Sequence, residues 1–195
     1  MTTLAYKPII LVDMDGVICD WQAQFDAFLA KFCPDITLIP REQITVFKSQ
    51  SLYAEEHHAA IAEMMNREGF YRTLKPVEGA VDALKEMAKD YTVFICTAPY
   101  VTNETCASEK LLWIGEHLGE EWKDRCIITS DKTLALGDIL IDDKPLIKGV
   151  GARVWSHIVF DAPYNRHVET RINKWSEWRE VVEAVLAKRN GLVNA

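Results

Sequence analysis

The chain has 195 residues, 49% of them apolar, and six tryptophans, which is enough for one sizeable core with a modest insertion. Its 22 basic and 29 acidic side chains leave a net charge of −7. That balance argues against sequence-independent binding to a nucleic-acid polymer, which needs a basic face, but leaves room for a small anionic substrate where a few cations converge. No run approaches the ~18 apolar residues of a membrane span, and Met1–Lys7 lacks the pattern of a leader, so a soluble cytoplasmic protein is expected. The five cysteines (19, 33, 96, 106 and 126) are odd in number and without CxxC spacing, which predicts buried free thiols in a reducing compartment.

The first element is an apolar run, Ile9-Ile10-Leu11-Val12, that ends in Asp13-Met14-Asp15-Gly16. Four consecutive apolar residues cannot alternate in and out, so the run reads as a strand buried on both faces, as in a parallel sheet. Ligands of such sheets bind beyond the carboxyl ends of the strands, where Asp13 and Asp15 fall. Trp21 to Phe32 has helical spacing and stops at Cys33-Pro34. A further helix is predicted over Tyr53–Met65, closed by Gly69. Residues 19–73 thus form a small helical insertion. His57 and His58, with no cysteine partner, read as surface residues.

Pro76 to Lys89 carries an amphipathic stripe and predicts a helix. Strands follow at Thr92–Thr97, Cys126–Thr129, Ile139–Asp143 and Val154–Phe160, with a helix over 105–118. Residues 161–174 are polar and read as a surface loop or a flap over the strand ends. The closing helix spans Trp175–Lys188, with Ser176 as its N-cap. Strands alternating with helices indicate a doubly wound, Rossmann-like α/β sheet. The expected domains are a core of 1–18 and 74–195 and a helical cap of 19–73.

Successive strands end in residues with phosphate chemistry: Asp13 and Asp15, Thr97, the Lys132 region, and Asp142-Asp143. A carboxylate does not approach a phosphate ester unaided. A divalent cation held by Asp13 and the Asp142/Asp143 pair offsets the repulsion. Asp13 then serves as nucleophile and Asp15 as acid and base. Thr97 donates its hydroxyl to a phosphate oxygen. Lys132 or Lys110 supplies fixed positive charge, Lys110 lying near a helix start that also favours anions. A phospho-accepting receiver module uses similar groups, but its acidic pair follows the first strand rather than the fourth.

At these residues the chain resembles the haloacid dehalogenase superfamily of phosphohydrolases: Asp13–Val17, Thr97 and Asp142-Asp143 match its motifs. Within it, the chain is similar to the 5′(3′)-deoxyribonucleotidases. This rests on Val12–Val17 with Asp20-Trp21, Pro76–Met87, Phe94–Thr97, Glu109-Lys110, Asp131–Thr133 and Leu140–Pro145. The resemblance implies Mg²⁺ held by Asp13, the carbonyl of Asp15, and Asp142 or Asp143. It implies hydrolysis of nucleoside monophosphates through an aspartyl-phosphate. Another small phosphate monoester, such as a sugar phosphate, is the alternative substrate, and a homodimer is left open. It also implies a base pocket built by Trp21 and Val46-Phe47-Lys48. Phe47 and Lys48 stand where the family carries Trp and an aliphatic residue, and Ala98 where it carries a hydroxyl residue.

Overall fold

A computed structural model describes residues 6–193. Six strands form one parallel sheet: β1 (Ile9–Val12), β2 (Thr92–Thr97), β3 (Cys126–Ile128), β4 (Ile139–Asp142), β5 (Ser156–Phe160) and β6 (Arg171–Ile172). Their order is β3-β2-β1-β4-β5-β6, so β1 is central and the winding reverses there. That reversal opens a crevice at the carboxyl ends of β1, β2 and β4, the usual ligand position of such sheets. β4 is buried throughout and β1 over its last three residues, which is why β1 and the first three residues of β4 are unbroken apolar runs, β4 ending in Asp142.

The helices are α1 (Trp21–Phe32), α2 (His58–Met65), α3 (Ala80–Asp90), α4 (Cys106–His117) and α5 (Trp178–Val193). Residues of all five join one apolar cluster with Ile10, Val12, Val93, Ile95, Ile139, Ile141 and Ile158 from one sheet face. The opposite face is different. Leu11, Cys96 and Leu140 pack there with Ala135, Ile147 and Trp155, all strand or loop residues. The connections β3–β4 and β4–β5 contain no α-helix, so loops cover that face.

Most expected elements form, with bounds moved for local reasons. Asp20 caps α1 by accepting from Ala23 N at 3.1 Å. α2 is only eight residues long, because Ser49–Leu52 and Glu55–His57 are separate 3₁₀ turns. His58 is half-buried, its Nε2 3.0 Å from the Tyr53 carbonyl, rather than a surface residue. α3 begins at Ala80, not Pro76. Residues 75–77 are extended beside 18–20, with Val77 N donating to Ile18 O (2.9 Å) and Asp20 N to Lys75 O (2.8 Å). The chain thus leaves and re-enters the sheet region through two paired segments.

A sixth strand lies inside the polar stretch 161–174. Val159 N donates to Thr170 O and Asp161 N to Ile172 O, each at 3.0 Å. Two residues give no apolar run to read. Ser176 is not an N-cap: it sits inside a 3₁₀ turn, Trp175–Glu177, and α5 starts at Trp178. All five cysteines are free, Cys33 and Cys126 only half-buried. Among the described residues, no helix is long and apolar enough to cross a membrane.

Candidate active site

The backbone of Asp13 continues the sheet one residue past β1, Asp13 N donating to Ile141 O at 2.8 Å. A tight turn follows, in which Val17, Ile18 and Cys19 N–H groups all donate to Met14 O. Gly16 sits in it with φ +75°, and a Cβ there would lie 2.6 Å from Asp143 Oδ2. Glycine is required on both counts: the left-handed backbone, and the approach of the β1 turn to the end of β4.

Two buried lysines organise the carboxylates. Lys110, from α4, is fully buried and directs its ammonium to Asp15 Oδ2 (2.7 Å), Thr97 Oγ1 (2.8 Å) and Ala98 O (2.8 Å). All three of its protons are used. Thr97 Oγ1 accepts from Lys110, which leaves its own proton to donate elsewhere. Lys132, from the turn after β3, bridges Asp13 Oδ1 (2.7 Å) and Asp142 Oδ2 (2.5 Å). Sequence alone did not rank these lysines. The structure gives each its own carboxylates.

Asp13, Asp142 and Asp143 are buried and can each place an oxygen within 4.8 Å of the others. Lys132 bonds two of them, Asp13 and Asp142, and among the described residues no lysine bonds Asp143. Burial pushes Asp143 well above the usual carboxylate range, and the charges of Asp142 and Asp13 push it the same way. Asp142 is raised too, by burial and by Asp13. For Asp13, burial works in the same sense, but the Lys132 and Lys110 charges and its hydrogen bonds outweigh it and hold the carboxyl low. Three converging hard oxygen donors with excess negative charge are what a divalent cation takes, so the cluster fits a divalent metal site. Asp143 and Asp13 face the cavity. Asp142 stands behind them, its second oxygen held by Lys144 N at 2.8 Å.

The cavity has a volume of about 420 Å³. Its floor is Asp13, Asp15, Gly16, Thr97 and Asp143, and Trp21, Phe47, Lys48 and Tyr71 contribute walls. Trp21 stacks on Phe25, with centroids 5.1 Å apart. Val46 departs from expectation: it is 39% exposed and does not reach the cavity wall. Phe47 and Lys48, expected beside it, do line the cavity, with the Lys144 ammonium 4.8 Å from the Phe47 ring centroid.

Several contributors carried no sequence signal of a role. Arg41 lines the cavity and pairs with Asp20 at 3.1 Å. Tyr71 is buried, with Lys110 Nζ 5.4 Å from its ring centroid. Tyr164 donates its hydroxyl to Asp143 Oδ2, and Asn165 Nδ2 donates to Asp143 O at 2.7 Å. The last two belong to a polar stretch whose pattern marks only a loop.

Comparison with known proteins bears on the chain as a whole. The family described as "5′ nucleotidase, deoxy (Pyrimidine), cytosolic type C protein" matches residues 7–190. A Bordetella pertussis protein, provisionally named a 5′(3′)-deoxyribonucleotidase, is 41% identical over 180 residues, 91% of this chain and 97% of its own. The human cytosolic-type 5′(3′)-deoxyribonucleotidase is 36% identical over 187 residues, covering 90% and 93%. Among solved structures, a haloacid dehalogenase family hydrolase from Deinococcus radiodurans superposes with a TM-score of 0.60 at 12% identity, covering 92% of this chain and 96% of that one. At that identity the likeness concerns the fold alone.

Proposed function

The chain belongs to the cytosolic type C family of deoxy (pyrimidine) 5′ nucleotidases, with a haloacid dehalogenase fold, and we propose that it hydrolyses deoxyribonucleoside monophosphates to nucleoside and phosphate. It is a phosphoric monoester hydrolase, and its substrate is a small molecule. The observation that carries the residue roles is the pairing of two carboxylates with two separate lysines at the central strand ends. Lys132 keeps Asp13 ionised for attack, while Lys110 holds Asp15 in place beside the leaving group.

Asp13 is the nucleophile: its lowered pKa, set by the Lys132 and Lys110 charges, keeps it a carboxylate despite burial. It attacks phosphorus in line with the ester oxygen, forming an aspartyl-phosphate as the ester bond breaks. Asp15, anchored by Lys110 and partly open to the cavity, gives its proton to the departing nucleoside oxygen. It then takes a proton from the water that cleaves the acyl-phosphate. Thr97 donates its free hydroxyl proton to a phosphoryl oxygen, and Lys110 and Lys132 supply fixed positive charge beneath the phosphate. Mg²⁺ held by Asp13, Asp143 with Asp142 behind it, and the carbonyl of Asp15 would neutralise phosphoryl charge and orient the group. Trp21 and Phe47 offer flat apolar faces for the nucleobase, with Lys48 at the rim.

Residues 19–73 act as a cap over a core of residues up to 18 and from 74. The paired segments at 18–20 and 75–77 are its hinge, a reading supported by the backbone hydrogen bonds Val77 N to Ile18 O and Asp20 N to Lys75 O, through which the chain leaves and re-enters the core. Free thiols and a cytosolic-type relative support action in the cytoplasm.

A panel of phosphate monoesters with Mg²⁺ tests the substrate. Deoxyribonucleoside monophosphates should be turned over with the highest kcat/KM, and Phe47→Ala should raise KM for them more than for a small aryl phosphate. Equal rates on sugar phosphates and nucleotides would contradict the assignment.

A further inference from the structure

Tyr164 stands between the acidic cluster and the aromatic wall of the cavity. Its hydroxyl donates to Asp143 Oδ2, and among the described residues no hydrogen bond reaches the other oxygen of that carboxylate. Its ring meets Phe47 edge-on, with centroids 5.7 Å apart and planes at 86°. The next residue fixes the turn: Asn165 Nδ2 donates to Asp143 O and Phe160 O, each at 2.7 Å, tying Pro163–Asn165 to the ends of β4 and β5. Phe47 is therefore held from the sheet side by Tyr164 and by Lys144, the two residues that also touch Asp143 and Asp142.

We propose that Tyr164 is a positioning residue for the cation site: its hydroxyl pins one oxygen of Asp143 so that the other is presented to Mg²⁺, while its ring seats Phe47. This rests on reading Asp13, Asp142 and Asp143 as the Mg²⁺ site. A carboxylate bonded on one oxygen has fewer orientations to lose when it binds a cation, which is how groups behind metal ligands raise affinity. The same side chain thereby links the place where the phosphate reacts to the wall where the base packs.

The test is calorimetric titration of Mg²⁺ into nucleotide-free protein. Tyr164→Phe should weaken binding by ~10–100-fold, as loss of such outer partners commonly does. The Mg²⁺ concentration for half-maximal turnover should rise in parallel, and excess Mg²⁺ should restore much of kcat, which a purely structural defect would not allow. Phe47→Ala should raise nucleotide KM with Mg²⁺ affinity unchanged. A Tyr164→Phe variant that binds Mg²⁺ within about two-fold of the native protein would overturn the role of Tyr164. A native protein that binds no Mg²⁺ would instead overturn the metal-site reading beneath it. Should Tyr164→Phe fail to fold, the near-UV tyrosine difference spectrum of the native protein decides. Mg²⁺ should perturb a phenol, no perturbation contradicts the role, and Asp143→Asn should abolish the signal.

Discussion

Gly16 meets two demands that no other residue satisfies together. Its φ of +75° costs an L-residue about 1–3 kcal/mol. A methyl group would also press on Asp143 Oδ2. Gly16→Ala should therefore lower Tm by ~3–10 °C, at ~2–4 °C per kcal/mol for a chain of this size. It should also weaken Mg²⁺ binding, because Asp143 must shift. Both are read by thermal melts with and without Mg²⁺, and an unchanged Tm would contradict the conformational argument. Much at this scale was legible in advance. Asp13, Asp15, Thr97 and the Asp142-Asp143 pair each follow an apolar run, and parallel strands bring such ends together. Tyr164 and Arg41 were not legible, because isolated polar residues in loops have no periodicity to announce them. Val46 differs for a related reason: of three adjacent loop residues only Phe47 and Lys48 line the cavity, and a loop has no period that says which side chains turn inward.

β5 shows what pairing adds to an apolar run. Leu11 is in register with Phe94 and Leu140, and Leu140 with His157, so one row crosses the helix-free face. His157 ends that row, half-buried near Trp155, with Nε2 buried and without a hydrogen-bond partner among the described residues. Burial, with Arg153 and Lys132 adding to it, lowers its pKa to about 4. The folded protein then refuses a proton that the unfolded chain accepts below about 6.5. Stability should be indifferent to His157 above that pH. It should fall as pH drops toward about 4, where the loss is complete. His157→Phe should flatten this part of the Tm–pH profile by up to one proton's worth of slope, and an identical profile would contradict the assignment. The long strands and amphipathic helices announced themselves by period. β6 did not, because a two-residue edge strand is defined by its neighbour's hydrogen bonds. The start of α3 was misjudged because Pro76 suits a first helical turn equally well as the extended pairing it makes.

At the scale of the whole molecule, the segment between β1 and α3 is fastened to the sheet layer mainly through the start of α4. The buried Glu109 carboxylate accepts from Gly69 N (2.7 Å), Tyr71 N (2.9 Å), Arg72 N (3.0 Å) and Thr105 Oγ1 (2.6 Å). Asn103 Nδ2 holds Met65 O at 3.0 Å. Residues 65–72 are thus anchored, and Lys110 follows Glu109 on the same helix. Glu109→Ala would strand three N–H groups at about 1–3 kcal/mol each where water cannot replace the carboxylate. Tyr71 N is the buried one of the three, so a loss of at least ~1 kcal/mol in denaturant unfolding is expected, and a change under ~0.5 kcal/mol would show that the clasp is dispensable.

The sheet order places β1 between the strand carrying Thr97 and the strand carrying Asp142, so both lysine–carboxylate pairs converge on Asp13 and Asp15. The most direct measurement of that convergence is turnover of a deoxyribonucleoside monophosphate by Asp13→Asn at saturating Mg²⁺. An amide is too poor a nucleophile to attack the phosphorus, so the rate should fall by at least ~10³ while the variant remains folded. Turnover at the native rate would contradict covalent catalysis by Asp13 and the mechanism built on it.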